Sequence, residues 1–331
     1  MNASDEKGLS RREFFIRAAK AGACIAAAGY LGYRLYDPTG PVGSGRIEPA
    51  SVVLPDFSIP ELRGKMAIAT GSDRIKSINA ALKPLGGMET FIKKGDRVLI
   101  KVNAVIASPA SLSATTHPGL LAEVVRLCLQ AGASSAIVTD NPINDPESCF
   151  ALTGIGPAAR SAGASVILPR EGLFRFGSVP GGALIKDWPL LYAPFEGVNK
   201  VIGLAPLKDH HRSGASMTMK NWYGLLGGRR NVFHQDIHNI IKELAMMVRP
   251  TLVILDGTTA MMTNGPTGGS LSDLKQTDTM IVSTDQVAAD AFGATLLGRT
   301  VYDLPFILKA QEAGVGTADY ESLDPARVQA G

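Results

Sequence analysis

The chain has 331 residues, 33 Lys plus Arg against 30 Asp plus Glu, five His and three Cys. That length buries the core of one large or two modest α/β domains. With 45% apolar and 19% charged residues, a disordered chain is excluded. A net charge of +3 without a basic stripe argues against a nucleic-acid partner.

The small basic excess has a location. Residues 1–37 carry Lys7, Arg11, Arg12, Arg17, Lys20 and Arg34 against Asp5, Glu6, Glu13 and Asp37, which leaves 27 basic and 26 acidic side chains in the body. Ser10-Arg11-Arg12-Glu13-Phe14-Phe15 followed by the apolar run Ala21 to Tyr33 resembles a twin-arginine export signal. The run is short of the ~20 residues that span a bilayer, and extending it back to Phe14 takes in Arg17 and Lys20. The resemblance implies the twin-arginine translocase as a partner. It also implies a periplasmic location, or anchoring through the N-terminus on the outer face of the cytoplasmic membrane. Such substrates cross the membrane folded, often with a cofactor already inserted.

Residues 38–62, rich in Pro, Gly and Ser, read as a linker. From there strands and helices alternate. The strand segments are 66–71, 96–105, 135–140 and 165–170. The helices are Ile75 to Leu85, Pro118 to Ala131 and Ile155 to Ala162. Segments 174–179, 182–188 and 200–207 predict strands joined by short turns, an antiparallel insert or a bridge. Asp236 to Val248 and Gln286 to Leu297 predict helices, with strands 251–257 and 278–285 between them. The alternation predicts an α/β fold with a mostly parallel sheet flanked by helices. The expected organisation is a first lobe over 63–172, a second over 173–320 carrying the Lys/His motif, a cleft between them, and a tail over 321–331.

Chemistry concentrates after the strand at 200–207. Lys208, Asp209, His210, His211, Gly214, Ser216, Lys220, Asn221, Gly227-Gly228-Arg229-Arg230, His234 and His238 follow in close order. Polar residues beyond the carboxyl ends of strands are where α/β sheets bind ligands. Lysines with histidines suit a small anion, or a metal beside a general base. His234 and His238, four apart, would share one helix face and could hold a metal ion. Lys101 and Asn103, Asp140 and Asn141, and Asn264 and Gly265 sit at comparable strand ends. Each alone fits a turn or cap equally well. Cys128 and Cys149 are a candidate disulfide in an oxidising compartment. One chain cannot supply the four thiolates of an iron–sulfur cluster. No P-loop, H-E-x-x-H or G-x-S-x-G occurs.

Several of these segments together resemble the domain-of-unknown-function 362 family. They are Lys101-Val102-Asn103, Thr116-His117-Pro118, 131–142, Leu207-Lys208-Asp209-His210, Met219-Lys220-Asn221-Trp222-Tyr223-Gly224, Asp256-Gly257, 264–268 and Thr284-Asp285. The resemblance covers about 95–300, and this chain lacks the ferredoxin-like cysteine motifs of many relatives. His210, Gly214, Ser216 and Lys220 also resemble a segment of the nickel-pincer lactate racemases. That similarity implies Lys220 as cofactor tether, His210 as acid/base and His234 or His238 as metal ligand. The resulting expectation is a metal- or cofactor-dependent enzyme acting on a small anionic substrate by acid/base or redox chemistry. His210, Lys220 and Lys208 would be its catalytic groups. Lys101, Asn103, Gly214, Ser216, Asn221, Asn264 and Gly265 would join Lys220 in holding the cofactor. A binding protein without catalysis is the alternative, and a cluster-bearing redox protein is disfavoured by the cysteine count.

Overall fold

The computed structural model describes residues 10–36 and 51–331. Eleven strands occur among them. They are β1 (Met66–Thr70), β2 (Arg97–Lys101), β3 (Ser135–Thr139), β4 (Ser165–Ile167), β5 (Phe174–Gly177) and β6 (Trp188–Leu191). Then come β7 (Lys200–His210), β8 (Gly214–Ser216), β9 (Leu252–Met261), β10 (Leu274–Ser283) and β11 (Ala326–Gln329). Nine of them form one sheet in the order β11-β1-β10-β9-β7-β2-β3-β4, with β8 folded back on β7; β5 and β6 pair separately.

The sheet is mostly parallel, as the alternation predicts. The exceptions are β10, antiparallel to both β1 and β9, and the β7–β8 turnback. β10 breaks the parallel rule because no helix separates it from β9. A loop and the short turn Leu271–Asp273 return the chain directly. Strands of both expected lobes pair within this one sheet, and the expected tail supplies β11 beside β1.

Alternation along each strand divides the core. Val98, Ile100, Ile202, Leu204 and Ile254 face the helices at 74–82, 118–130 and 155–161. Leu99, Val201, Val253, Leu255 and Ile281 face those at 237–247, 286–296 and 305–312. Covering both faces is what turns these strands into near-continuous apolar runs. The helix Pro118–Gln130 starts with proline at its first turn and a cap from His117, whose Nδ1 accepts the Gly119 N–H.

Of the expected linker, residues from Ser51 are described, and they lie against the body. Phe57 is buried, its N–H donates to the Arg249 carbonyl, and Thr251 donates its hydroxyl to the Phe57 carbonyl. Cys128 and Cys149 are both buried free thiols, so the candidate disulfide does not form. Burial pushes the Cys128 thiol up to about 12. The segment that resembles an export signal forms a helix, Arg11–Leu35, with no buried residue. At 25 residues it is long and apolar enough to cross a membrane.

The topology positions the site. From β2 the chain winds outward through β3 to β4, then returns to the other side of β2 as β7. In open α/β sheets a crevice opens at the carboxyl edge where the winding reverses. Here β7 also runs on past its partner β2, from Leu204 to His210, and forms one wall of that crevice. The core beneath is tight: Ile254→Ala should cost about 2–5 kcal/mol in urea unfolding, whereas Leu152→Ala, 65% exposed, should stay within ~0.5 kcal/mol. Equal losses would show that the central strand is not the stabilising core.

Candidate functional site

A cleft of about 480 Å³ opens at the β2–β7 carboxyl edge. Its floor is an ion pair. Lys101, the last residue of β2, and Asp140, just after β3, meet at 2.7 Å with side chains 1% and 2% exposed. Every polar atom of the pair is used. Lys101 also donates to the Val102 carbonyl and to Asn221 Oδ1, at 2.7 and 3.0 Å. Asp140 accepts from the backbone N–H groups of Ala104 and Asn141. Asn221 Oδ1 takes a further bond from Asn103 Nδ2 at 3.1 Å. Gly224 packs directly on this pair, where a Cβ would stand 1.9 Å from Asp140 Oδ1. No side chain other than glycine's fits there.

Two further lysines line the cleft. Lys208, on β7, donates to the Ala114 carbonyl and reaches Asn103 Oδ1 at 3.4 Å. Lys220 lies on the four-residue helix Thr218–Asn221, too short to stand alone. Asp290 holds that helix by accepting the N–H groups of Thr218 and Met219 and the Thr218 hydroxyl. The Lys220 ammonium lies over the Tyr223 ring, 5.2 Å from its centre, and makes no hydrogen bond among the described residues. Burial draws both amines down to about 7. The neighbouring Lys220 adds to the effect at Lys208, and Arg230 and Lys101 add to it at Lys220.

His210 is fixed as a donor. Its Nδ1 accepts the backbone N–H groups of Arg212 and Ser213, each at 3.2 Å, which leaves the ring proton on Nε2. Burial, reinforced by Lys220, pushes this imidazole down to about 2. The neutral ring is thereby favoured, a donor through Nε2 and an acceptor through Nδ1. Its ring lies nearly parallel to those of His211 and His234, with centroids 5.0 and 6.1 Å away. His234 Nδ1 sits 3.0 Å from the Tyr223 oxygen, whose own proton goes to the Arg230 carbonyl. Burial and Lys220 take His234 down to about 4.

Ser216 and Asn221 also line the cleft, but Gly214, Asn264, Gly265 and His238 do not. Gly214, at φ 80°, makes the β7–β8 turn. Asn264 donates to Asp273, and Gly265 donates its N–H to Asp209. Together they set the loop that brings Pro266 to the cleft wall. The shared helix face expected of His234 and His238 does not exist. His234 lies in the 3-10 turn Arg230–Asp236, and the α-helix begins only at Ile237. His238 stacks on Phe306 instead.

Phe174 is a cleft residue that the sequence does not mark, and Tyr223 and Arg230, present in the marked segments without a role, line it too. Arg230 binds the carbonyls of Asn141, Pro142, Tyr223 and Leu226, tying three loops together. The double-glycine, double-arginine segment 227–230 was the available signal for it.

Among the described residues no three His, Cys, Asp or Glu side chains converge as metal ligands. The pincer-type arrangement fits only in part. Lys220, His210 and His234 face one cleft, but His210 is locked as a donor and Asp140 is held by Lys101. The donor set does fit an anion: lysine amines, the Asn103 amide and an imidazole N–H surround a space whose only carboxylate among the described residues is already paired.

The family described as Domain of unknown function (DUF362) matches residues 98–295. The thylakoid-associated protein sll1697 of Synechocystis sp. is 25% identical over 259 residues, covering 76% of this chain and 78% of that protein. The lactate racemase apoprotein of Thermoanaerobacterium thermosaccharolyticum is 13% identical with a TM-score of 0.36. The match covers 72% of this chain, and this chain spans 60% of the racemase chain.

The buried lysines give a signed pH effect. An amine whose folded pKa is depressed from 10.5 to about 7 adds stability above 10.5 and loses it as pH falls through 7. Lys220→Met should therefore be more stable than the parent at pH 6, by roughly a few kcal/mol. The gap should close as pH rises towards 10.5. Thermal unfolding curves of the two proteins that run parallel from pH 6 to 10 would refute the buried-amine assignment.

Proposed function

The chain belongs to the DUF362 family, and we propose that its cleft is the active site of an acid/base enzyme acting on a small anionic substrate. One observation carries this reading. Lys208 and Lys220 are buried yet line one cleft, and the single carboxylate that lines it among the described residues is already committed to Lys101. A buried cation without a counter-ion is costly, and an anionic ligand supplies the missing charge.

The roles follow from the partners. Lys208, held in place by Ala114 and Asn103, binds the anion in its protonated form. The Nε2–H of His210 and the remaining Nδ2–H of Asn103 orient it, while Asn221 Nδ2 is spent on the Lys101 and Leu204 carbonyls. Lys220, with no hydrogen-bond acceptor among the described residues and an amine drawn down to about 7, takes or gives the proton. Anion binding restores the charge on these amines, so it takes up protons at pH 8 and weakens as pH rises from 7 to 9.

The N-terminal helix completes the reading. Arg11–Leu35 serves as export leader or anchor and delivers the folded domain to a membrane surface. The likeness to a thylakoid-associated protein is in keeping with a membrane location.

The test is calorimetric titration with a panel of small carboxylates and phosphates. A second arm follows solvent deuterium exchange into the carboxylates with acidic α-hydrogens. Lys208→Met and Lys220→Met should each lose at least tenfold in affinity, about 1.4 kcal/mol. Lys220→Met should also abolish exchange. Binding that both variants leave intact would overturn the site, and binding without exchange of any probe would reduce it to a receptor.

A further inference from the structure

A second cavity, of about 320 Å³, opens beside the first at the same edge of the sheet. It is lined by Arg74, Ser111, Ser113, His117 and Gln276, among others, and none of its lining residues is acidic. Arg74 donates its Nε to Asp256 at 2.7 Å, which leaves both terminal nitrogens without a partner among the described residues. Asp256 is occupied in turn by the Thr258 N–H. His117 spends Nδ1 as acceptor for Gly119, so its ring proton sits on Nε2. Gln276 accepts the Thr259 hydroxyl through Oε1, which leaves its amide N–H₂ free. Donors therefore outnumber acceptors around this cavity, and a guanidinium with two free N–H edges matches an oxyanion in fork geometry.

We infer that the Arg74–His117 cavity is a second binding site, for the carboxylate or phosphate group of a small molecule. It is separate from the lysine cleft but shares a wall with it. Ser113 and His117 face this cavity, while between them Ala114 holds Lys208 and Thr116 pairs with Asn103 in the first cleft. The inference does not depend on the proton chemistry proposed for Lys220.

Inorganic phosphate and succinate are the probes, titrated into the full chain by calorimetry, with the imidazole signals followed by NMR. Arg74→Lys keeps a cation for Asp256, and His117→Asn keeps an acceptor for Gly119, so the fold is retained. The expected result is two binding events for at least one probe. The Arg74→Lys/His117→Asn double variant should lose one of them by at least tenfold, and Lys220→Met should lose only the other. In the parent protein the His117 signal should shift on titration. A probe preference identifies the group bound. Isotherms unchanged in the double variant, a His117 signal that does not move, or no binding of either probe would each overturn the site. Loss confined to the double variant, with Lys220→Met indistinguishable from the parent, would keep this site and reject the proposed active site.

Discussion

The ion pair between Lys101 and Asp140 is the constraint from which the cleft is built. Removing two charges from water costs several kcal/mol per ion, and mutual attraction offsets this only when the remaining hydrogen-bonding capacity is filled. Here it is filled by the Val102 carbonyl, Asn221, and the N–H groups of Ala104 and Asn141. Those partners come from the ends of β2 and β3 and from the short helix that carries Lys220. The pair therefore fixes three segments relative to each other, and Gly224 is confined to glycine by contact with it. A pair so fully satisfied has no capacity left for a ligand, which passes that task to Lys208 and Lys220.

The three lysines illustrate how partners, not residue type, decide a role. Lys101 faces a carboxylate, Lys208 a backbone carbonyl and a side-chain amide, and Lys220 only an aromatic ring. Their electrostatic satisfaction falls in that order. Chemical freedom rises in the same order, since an amine that nothing holds is the one able to move a proton or meet a ligand. His210 runs the other way: two backbone donors convert what sequence spacing marks as an acid/base into a fixed N–H donor.

Much of this is legible in the sequence. A parallel α/β sheet puts the ends of its strands on one edge, so polar residues after apolar runs converge. Lys101, Asn103, Lys208 and His210 do so for that reason. The misreadings have equally physical origins. Helical spacing pairs His234 with His238 only if one α-helix contains both, and a 3-10 turn before Ile237 changes the rotation per residue. Asn264 and Gly265 carry the polarity of a site but use it to fold their own loop around Asp273 and Asp209. β10 turns antiparallel without a change in its apolar pattern, because both orientations bury the same alternating side chains. Arg230 gave a charge but no partners, since its four carbonyls lie on loops that only the fold brings together.

Beneath the reactive lysine lies a layer that the spacing of motifs does not reveal. The helix Gln286–Leu296 carries Asp290, which accepts three bonds from the Lys220 helix, and Gln286, which meets it from another side. Gln286 accepts the Trp222 indole N–H and donates to the carbonyls of Ala245 and Val248 at the end of the neighbouring helix. A four-residue helix gains almost nothing from its own hydrogen bonds. Its orientation, and with it the direction of the Lys220 amine, is thus set by two polar side chains of a helix packed beside it on the same face of the sheet. Both are buried and fully bonded, so they act through geometry and leave the cleft's charge to its own residues. The far end of the chain thereby fixes a group that the sequence places some seventy residues earlier, and the cleft depends on the whole sheet closing.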